Sequence, residues 1–475
     1  MNKRGRSLLK NTTILGFGTL CTKGIMFFMT PLFTRWLTSN EYGMFDLFIT
    51  YVTLMVPVLT LATGEAIFRF LLENNDENNE KTILSTTFFL DIIGIIISIV
   101  LATLAVIFFK VDKIVVVSFI SYLTTEIFYN FSMMTMRGEK KLTIYSLGNI
   151  LFVVGLAFFV YIFVSKFNFG LSGILFGYAC GDLIAILTIF ITAKLYKKIN
   201  YKYISTQTLK EMIKYSLPMI PNSISWWIVN VSDRTLISIF CGASYNAIYA
   251  VANKVPALCT TFFSVFHLSW QQNATESLKD KDRDKYYSSV FNNMIKVVGS
   301  ICVMIMGVNF LFFKLFTAEY QSGYYQVPVL VVAILFSMMG QFIGGIYVAQ
   351  MKSKKNGLTT MLAAIINIII NVLLIKKIGL YAASISTLIS YMILFIVRYF
   401  DIKREIKLEL NHKSILLFAT VIYFFITAYI NSLALNYINF IIGLLFFSCF
   451  NYDYLKQLLY KVNKKFRSKN WRIIV

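Results

Sequence analysis

Apolar residues in this chain fall in long blocks separated by short polar connections. Most blocks reach about 20 residues, the length of helix needed to span roughly 30 Å of hydrocarbon. Backbone polar groups in lipid must be satisfied within their own segment, so each block reads as a membrane helix. A β-barrel would instead show short alternating segments. The pattern predicts fourteen spans, at 11–34, 43–71, 83–109, 113–136, 142–164, 170–193, 212–240, 245–271, 288–313, 324–350, 357–376, 379–400, 414–433 and 436–452. Two charged connections, 194–210 and 401–413, punctuate the series, and a basic tail at 456–472 is expected on the membrane surface. No connection exceeds about 20 residues, too few for a folded catalytic domain outside the bilayer.

The blocks repeat weakly. Leu37-Thr-Ser-Asn-Glu-Tyr-Gly-Met-Phe matches Phe240-Cys-Gly-Ala-Ser-Tyr-Asn-Ala-Ile at an offset of 203. Further on, Arg137-Gly-Glu-Lys-Lys-Leu-Thr resembles Lys352-Ser-Lys-Lys-Asn-Gly-Leu-Thr, and Gly170-Leu-Ser-Gly resembles Gly379-Leu-Tyr-Ala. Each copy holds six spans. An even number starts both copies on the same side, so the repeats are parallel, related by an axis along the membrane normal. The expected fold is therefore an all-α polytopic membrane protein with two parallel six-helix lobes around a central cavity, at 1–205 and 206–402. Two additional helices and the basic tail follow at 403–475.

The same offset aligns polar faces. Span 1 carries Thr12, Gly16, Thr19, Lys23 and Thr30, and its counterpart on span 7 carries Tyr215, Met219, Asn222, Trp226 and Asp233. Asp46, Thr50, Thr53, Pro57, Thr60 and Gly64 on span 2 correspond to Tyr249, Asn253, Pro256, Thr260, Phe263 and His267 on span 8. Small residues and Thr also line close helix contacts in membranes. The charged and amide groups exceed what close packing needs, so these faces are expected to line the cavity. Pro31, Pro57, Pro218, Pro221 and Pro256 all fall on these four spans. Each removes a backbone donor and is expected to bend its helix.

Composition agrees with the blocks: 57% of the 475 residues are hydrophobic, 14% are charged, and the mean hydropathy is +0.68. The net charge of +22 would suit a nucleic-acid partner if it were clustered. Instead the Lys and Arg residues concentrate in the connections that lie inside when the N-terminus is inside, which is a topology signal. The segment 73–81 breaks the bias by being acidic, but acidic residues weigh little in it. The N-terminal block carries Lys23 and no cleavage site, and reads as an uncleaved first helix. The six cysteines show neither pairing nor ligand spacing.

A charge at the bilayer centre costs about 2.5 to 3.5 kcal/mol, so it faces a partner or water. Lys23, Glu126 and Asp182 are central to their spans, while Asp233, Arg234 and Lys254 lie further outward. Glu65 and Arg69 are four apart on one face of span 2, positioned to pair. The candidate cavity residues are Lys23, Glu65, Arg69, Asn222, Asp233, Arg234, Asn253 and Lys254, with Asp233 or Glu65 as neutralising partners for the cations. Glu126 and Asp182 read as polar packing. Enzymatic signals are poor. Asp280-Lys-Asp-Arg-Asp284 contains a DxD but sits among lysines in a short loop, His267 and His412 have no ligand spacing, and no Walker loop occurs. No catalytic residue, metal or cofactor is expected.

Three segments resemble a known family. Asn230-Val-Ser-Asp-Arg-Thr-Leu-Ile-Ser followed by Ala247-Ile-Tyr-Ala-Val-Ala-Asn-Lys254 looks like the seventh and eighth helices of bacterial polysaccharide repeat-unit flippases. The opening helix followed by Leu37-Thr-Ser-Asn-Glu-Tyr-Gly-Met-Phe resembles their first, and Gly379-Leu-Tyr-Ala-Ala-Ser-Ile-Ser-Thr-Leu-Ile-Ser their twelfth. These proteins belong to the multidrug/oligosaccharidyl-lipid/polysaccharide (MOP) superfamily, and the resemblance implies a MATE-like fold. It also implies alternating-access transfer of a polyprenyl-pyrophosphate-linked oligosaccharide from the cytoplasmic to the outer leaflet, for O-antigen, capsule or other exopolysaccharide. It further implies an inner-membrane location, H+ or Na+ as the candidate coupling ion, and membrane lipid, a polymerase and glycosyltransferases as partners. The even span count and the Lys/Arg bias place both termini in the cytoplasm and give no reason to expect nucleic acid. Two rival functions are an ion-coupled drug or metabolite antiporter of the same superfamily and a membrane-embedded glycosyltransferase or ligase. The first would favour an acidic cavity, and the second would need a sizeable extramembrane domain.

Overall fold

The computed structural model describes residues 3–73, 76–109, 112–430, 432–452 and 456. Most of the basic tail lies outside the described residues. Every regular element among them is helical, and ten helices are long and apolar enough to cross a membrane. The chain divides into two compact units, Met1–Ala250 and Val251–Val475.

The first unit contains α1 (Lys3–Trp36), α2 (Ser39–Leu59), α3 (Thr63–Glu73), α4 (Glu77–Phe109), α5 (Lys113–Gly138), α6 (Leu142–Val160), α7 (Gly170–Thr192), α8 (Thr206–Ser216) and α9 (Met219–Phe240). The first turns of α10 (Ala243–Glu276) complete it. The Leu37-Thr-Ser-Asn-Glu segment is a helix start: Thr38 Oγ1 accepts from Glu41 N–H at 3.2 Å, and Thr38 N–H donates to Glu41 Oε2 at 2.9 Å. This reciprocal cap satisfies two backbone donors that the first turn leaves unpaired. Glu41 Oε1 also accepts from Leu171 N–H at 3.3 Å, joining the starts of α2 and α7.

Two expected spans are broken. The span at 43–71 is two helices, α2 and α3, because Leu61 and Ala62 take left-handed backbone angles after Pro57. Ala62 N–H reaches back to the Pro57 carbonyl at 2.7 Å and closes the turn. The span at 212–240 divides at Leu217-Pro218 into α8 and α9. Pro218 lacks the N–H needed to continue α8, whereas Pro221 sits in the first turn of α9, where that donor has no partner to lose. Pro31 and Pro256 stay inside continuous helices.

At one end of this unit, Lys198 Nζ bonds both Glu80 and Glu139, the latter at 2.9 Å, and Lys141 pairs with Glu139. Asn200 N–H donates to Ser85 Oγ and Ser205 N–H to Thr86 Oγ1. The connections before α4, between α5 and α6, and between α7 and α8 therefore lie on one face, as an even number of spans between them requires. These contacts also account for the acidic 73–81 segment, whose Glu80 meets Lys198 and whose Glu77 pairs with Lys81 at 2.9 Å. Apolar side chains beneath, including Ile67, Leu84, Phe131, Ile189, Leu195 and Met212, pack into one core and hold this end together.

The second unit takes the rest of α10, then α11 (Arg283–Phe313), α12 (Val327–Ala349), α13 (Ser353–Ile378), α14 (Leu380–Ile402), α15 (His412–Thr427) and α16 (Leu433–Phe450). Helix α12 is its most buried membrane span among the described residues. Arg398 on α14 is buried, and neutral oxygens receive its guanidinium. It donates to Gly340 O at 2.8 Å, Asn356 O at 3.0 Å, and the Thr359 and Thr360 hydroxyls at 2.9 Å. It thereby ties α12, α13 and α14 together. The DxD-like run is anchored too: Asp284 accepts from Lys407 N–H at 3.1 Å and pairs with Arg283.

Candidate functional site

Polar side chains in the first unit converge where α2 meets α9 and the start of α10. Asp46 faces inward from α2 and is buried. The Arg234 guanidinium on α9 donates to Asp46 Oδ1 at 2.7 Å, with Arg side-chain exposure of 20% against 6% for the acid. Asn246, fully buried in the first turn of α10, donates to Gly43 O at 2.9 Å and reaches Asp46 Oδ2 at 3.4 Å. Beside it, the Tyr249 hydroxyl donates to Asp233 Oδ2 at 3.0 Å. Acidic and basic neighbours at positions 233 and 234 are thus held by partners on different helices.

The α2–α9 contact continues along the antiparallel pair. Trp227 Nε1 donates to Thr50 O at 2.8 Å, the Tyr51 and Trp227 rings stack with centroids 6.2 Å apart, and Tyr51 Oη lies 3.3 Å from Thr235 Oγ1. Gly43 permits α2 to approach the start of α10 closely: a Cβ there would overlap the Ala243 carbonyl oxygen. Helices carrying charge are thereby fixed in register by hydrogen bonds, which in hydrocarbon have no water to replace them.

Of the sequence-derived candidates, Asp233 and Arg234 enter this network. Lys23 is exposed on α1, and Glu65 and Arg69 are exposed on α3, apart from the hydrogen bonds that build the network. The Asn222 side chain lies outside the described residues. Asn253 and Lys254, both half-buried on α10, follow the division at Ala250 and belong to the second unit. The sequence pointed to Asp233 or Glu65 as counter-ion, but the carboxylate that pairs with Arg234 is Asp46. A separation of 188 residues hides that pairing from any local pattern. Tyr249 was already placed on the polar face of span 8, whereas Asn246 was missed, although the repeat offset pairs it with Gly43. Asp182 is buried on α7 and accepts from Thr125 Oγ1 at 2.9 Å.

A helical chain with ten described helices long and apolar enough to cross a membrane, and with two expected spans broken at proline, falls in the class of polytopic membrane proteins. The profile of the family described as polysaccharide biosynthesis protein matches residues 8–267, more than half of the chain, and the chain belongs to that family. Its fold is shared with lipid II flippase MurJ in an inward closed conformation. That structure aligns over 94% of this chain and 100% of its own at 16% identity, with a TM-score of 0.69. An inward-facing multidrug resistance MATE family transporter of the MOP superfamily aligns over 85% of this chain and 95% of its own, at 15% identity and a TM-score of 0.64. A MOP superfamily transporter from Pyrococcus furiosus aligns over 86% and 96%, at 13% identity and a TM-score of 0.57. At these identities the likeness concerns the fold, which is the expected MATE-like one. Comparison with curated protein sequences gives no match.

Proposed function

We propose that this protein is a flippase that carries a polyprenyl-pyrophosphate-linked oligosaccharide from the cytoplasmic to the outer leaflet of the bacterial inner membrane. The observation that carries this reading is the family match across residues 8–267, which includes every member of the Asp46–Arg234 network. The fold is common to flippases and multidrug transporters, so the family rather than the fold selects the substrate class.

In this mechanism the lobes 1–205 and 206–402 rock against one another so that the cavity between them opens to one leaflet and then to the other, and the helices of 403–475 flank them. A sugar head group cannot cross hydrocarbon unaided. A cavity bounded by bent or broken helices shields it while the prenyl tail stays in lipid. Lys23, Arg234 and Lys254 attract the pyrophosphate, each charge pair contributing about 1 to 4 kcal/mol in a wet cavity. Arg234 rests on Asp46 when no anion is present, which avoids the cost of an unpaired buried charge. Coupling is to H+ or Na+, and imposing each gradient separately across proteoliposomes distinguishes them. Both termini and the 194–210 connection are cytoplasmic, so a periplasm-active reporter fused after Lys210 should be silent, and activity there reverses the orientation.

The site is tested by complementing polymer display in a deletion strain. The triple variant Lys23→Ala, Arg234→Ala, Lys254→Ala should lose display while protein level and membrane insertion stay normal. Full display at normal level would make these charges structural.

A further inference from the structure

The flank of the first unit carries a groove that the transport mechanism does not use. Helix α5 forms its floor and α4 and α7 its walls, enclosing about 800 Å³. Ala102 and Val106 on α4, Ile120 on α5, and Phe176, Ala179 and Leu183 on α7 line it. Three of its hydroxyls are already used internally. Thr103 bonds Ile99 O, Ser121 bonds Val117 O, and Thr125 bonds Tyr122 O and Asp182. A surface of this kind fits hydrocarbon. The groove also opens onto a strongly apolar face, where Ile99, Val117 and Leu183 are 46%, 57% and 44% exposed.

One end differs. Lys113, in the first turn of α5, lines the groove at the α4–α5 connection. A cation there opposes the helix dipole, so helix stability does not explain it. It forms no ion pair among the described residues, and the neighbouring Asp112 carboxylate caps its own helix by accepting from Ile114 N–H at 2.8 Å. A lysine at the edge of a span extends its ammonium to head-group depth.

We propose that this groove holds an acyl chain of an anionic phospholipid, with Lys113 engaging the lipid phosphate. In the orientation set by the Lys/Arg bias, the lipid belongs to the outer leaflet. The bilayer supplies the chain directly, and the cation at the rim supplies the head-group preference. A single basic side chain at a membrane surface favours an anionic over a zwitterionic lipid by about fivefold.

The test is native mass spectrometry of the purified full-length protein with phosphatidylglycerol or phosphatidylethanolamine of equal chain length. The wild type should retain phosphatidylglycerol about fivefold more strongly. Lys113→Gln should abolish that preference, and Ala102→Phe, which fills the groove, should lower retention of both lipids. Unchanged gel-filtration behaviour serves as the folding control for each variant. Equal retention by the wild type, an unchanged preference in Lys113→Gln, or undiminished retention in a folded Ala102→Phe protein overturns the proposal. So does displacement of phosphatidylglycerol by an equimolar polyprenyl phosphate, which would assign the groove to the carrier lipid.

Discussion

Gly43 and Asn246 stand 203 residues apart, the offset of the internal repeat, and the Asn246 side chain donates to the Gly43 carbonyl at 2.9 Å. The neighbouring equivalent pair, Asp46 and Tyr249, joins the same network, one through Arg234 and the other through Asp233. The network is therefore built within the first unit, from α2, α9 and the first turns of α10.

Close approach at Gly43 predicts a steric phenotype. Gly43→Ala places a methyl group against the Ala243 carbonyl, with Ala247 N only 3.2 Å away. It should destabilise the protein by about 1 to 3 kcal/mol, as overpacking does in tight interiors. Thermal unfolding in detergent measures this, and an unchanged midpoint would mean that the two backbones separate freely.

Arg234 and Asp46 should behave as a unit. Arg234→Gln or Asp46→Asn alone strands a largely buried charge, at a cost of about 2 to 3 kcal/mol, below that of a fully buried pair because the arginine keeps some exposure. The double variant should recover part of the loss, with a coupling of about 1 to 2 kcal/mol in a double-mutant cycle. Strict additivity would show that the contact contributes nothing to stability.

The charged end of the first unit predicts a pH profile. Burial pushes the Glu139 carboxyl up, but Lys141 and Lys198 outweigh it and hold the group below its usual range. Burial pushes Lys198 down, and Glu80 and Glu139 outweigh it and hold the ammonium above its usual range. A lowered carboxyl adds stability above its unfolded value, which is lost as pH falls through its folded one. A raised lysine adds stability that is lost only as pH rises through its own folded value. Lys198→Gln should therefore lower stability by about 1 kcal/mol near neutrality. The gap from wild type should stay level between about pH 6 and 9 and close below about pH 4. Melting curves across that range provide the check, and a gap that widens on acidification contradicts the assignment.

Helix identity was legible where apolarity alone decides it. Expected spans at 83–109, 113–136, 142–164, 170–193, 288–313, 324–350, 357–376 and 379–400 match α4, α5, α6, α7, α11, α12, α13 and α14 closely. The breaks within 43–71 and 212–240 were less legible. Proline marks both places, but whether it bends a helix or ends it depends on the backbone angles of the next few residues. Leu61 and Ala62 adopt left-handed angles that neither residue type announces. Charge in the spans pointed toward the site without giving its pairings. Arg234 and Asp233 stood out because charge is costly in lipid, whereas the choice of Asp46 as partner required knowing that α2 and α9 lie side by side. Lys23 stood out for the same reason, and the structure shows it exposed.

Transfer of a lipid-linked oligosaccharide between leaflets can be read directly. Proteoliposomes carrying the purified protein and a labelled polyprenyl-pyrophosphate-linked oligosaccharide are treated with a membrane-impermeant, sugar-modifying reagent, with and without an imposed ion gradient. The wild-type protein should let the reagent consume the inner-leaflet pool, and the Arg234→Ala protein should leave most of that pool protected. Equal protection in wild-type and protein-free vesicles under both H+ and Na+ gradients would contradict the account.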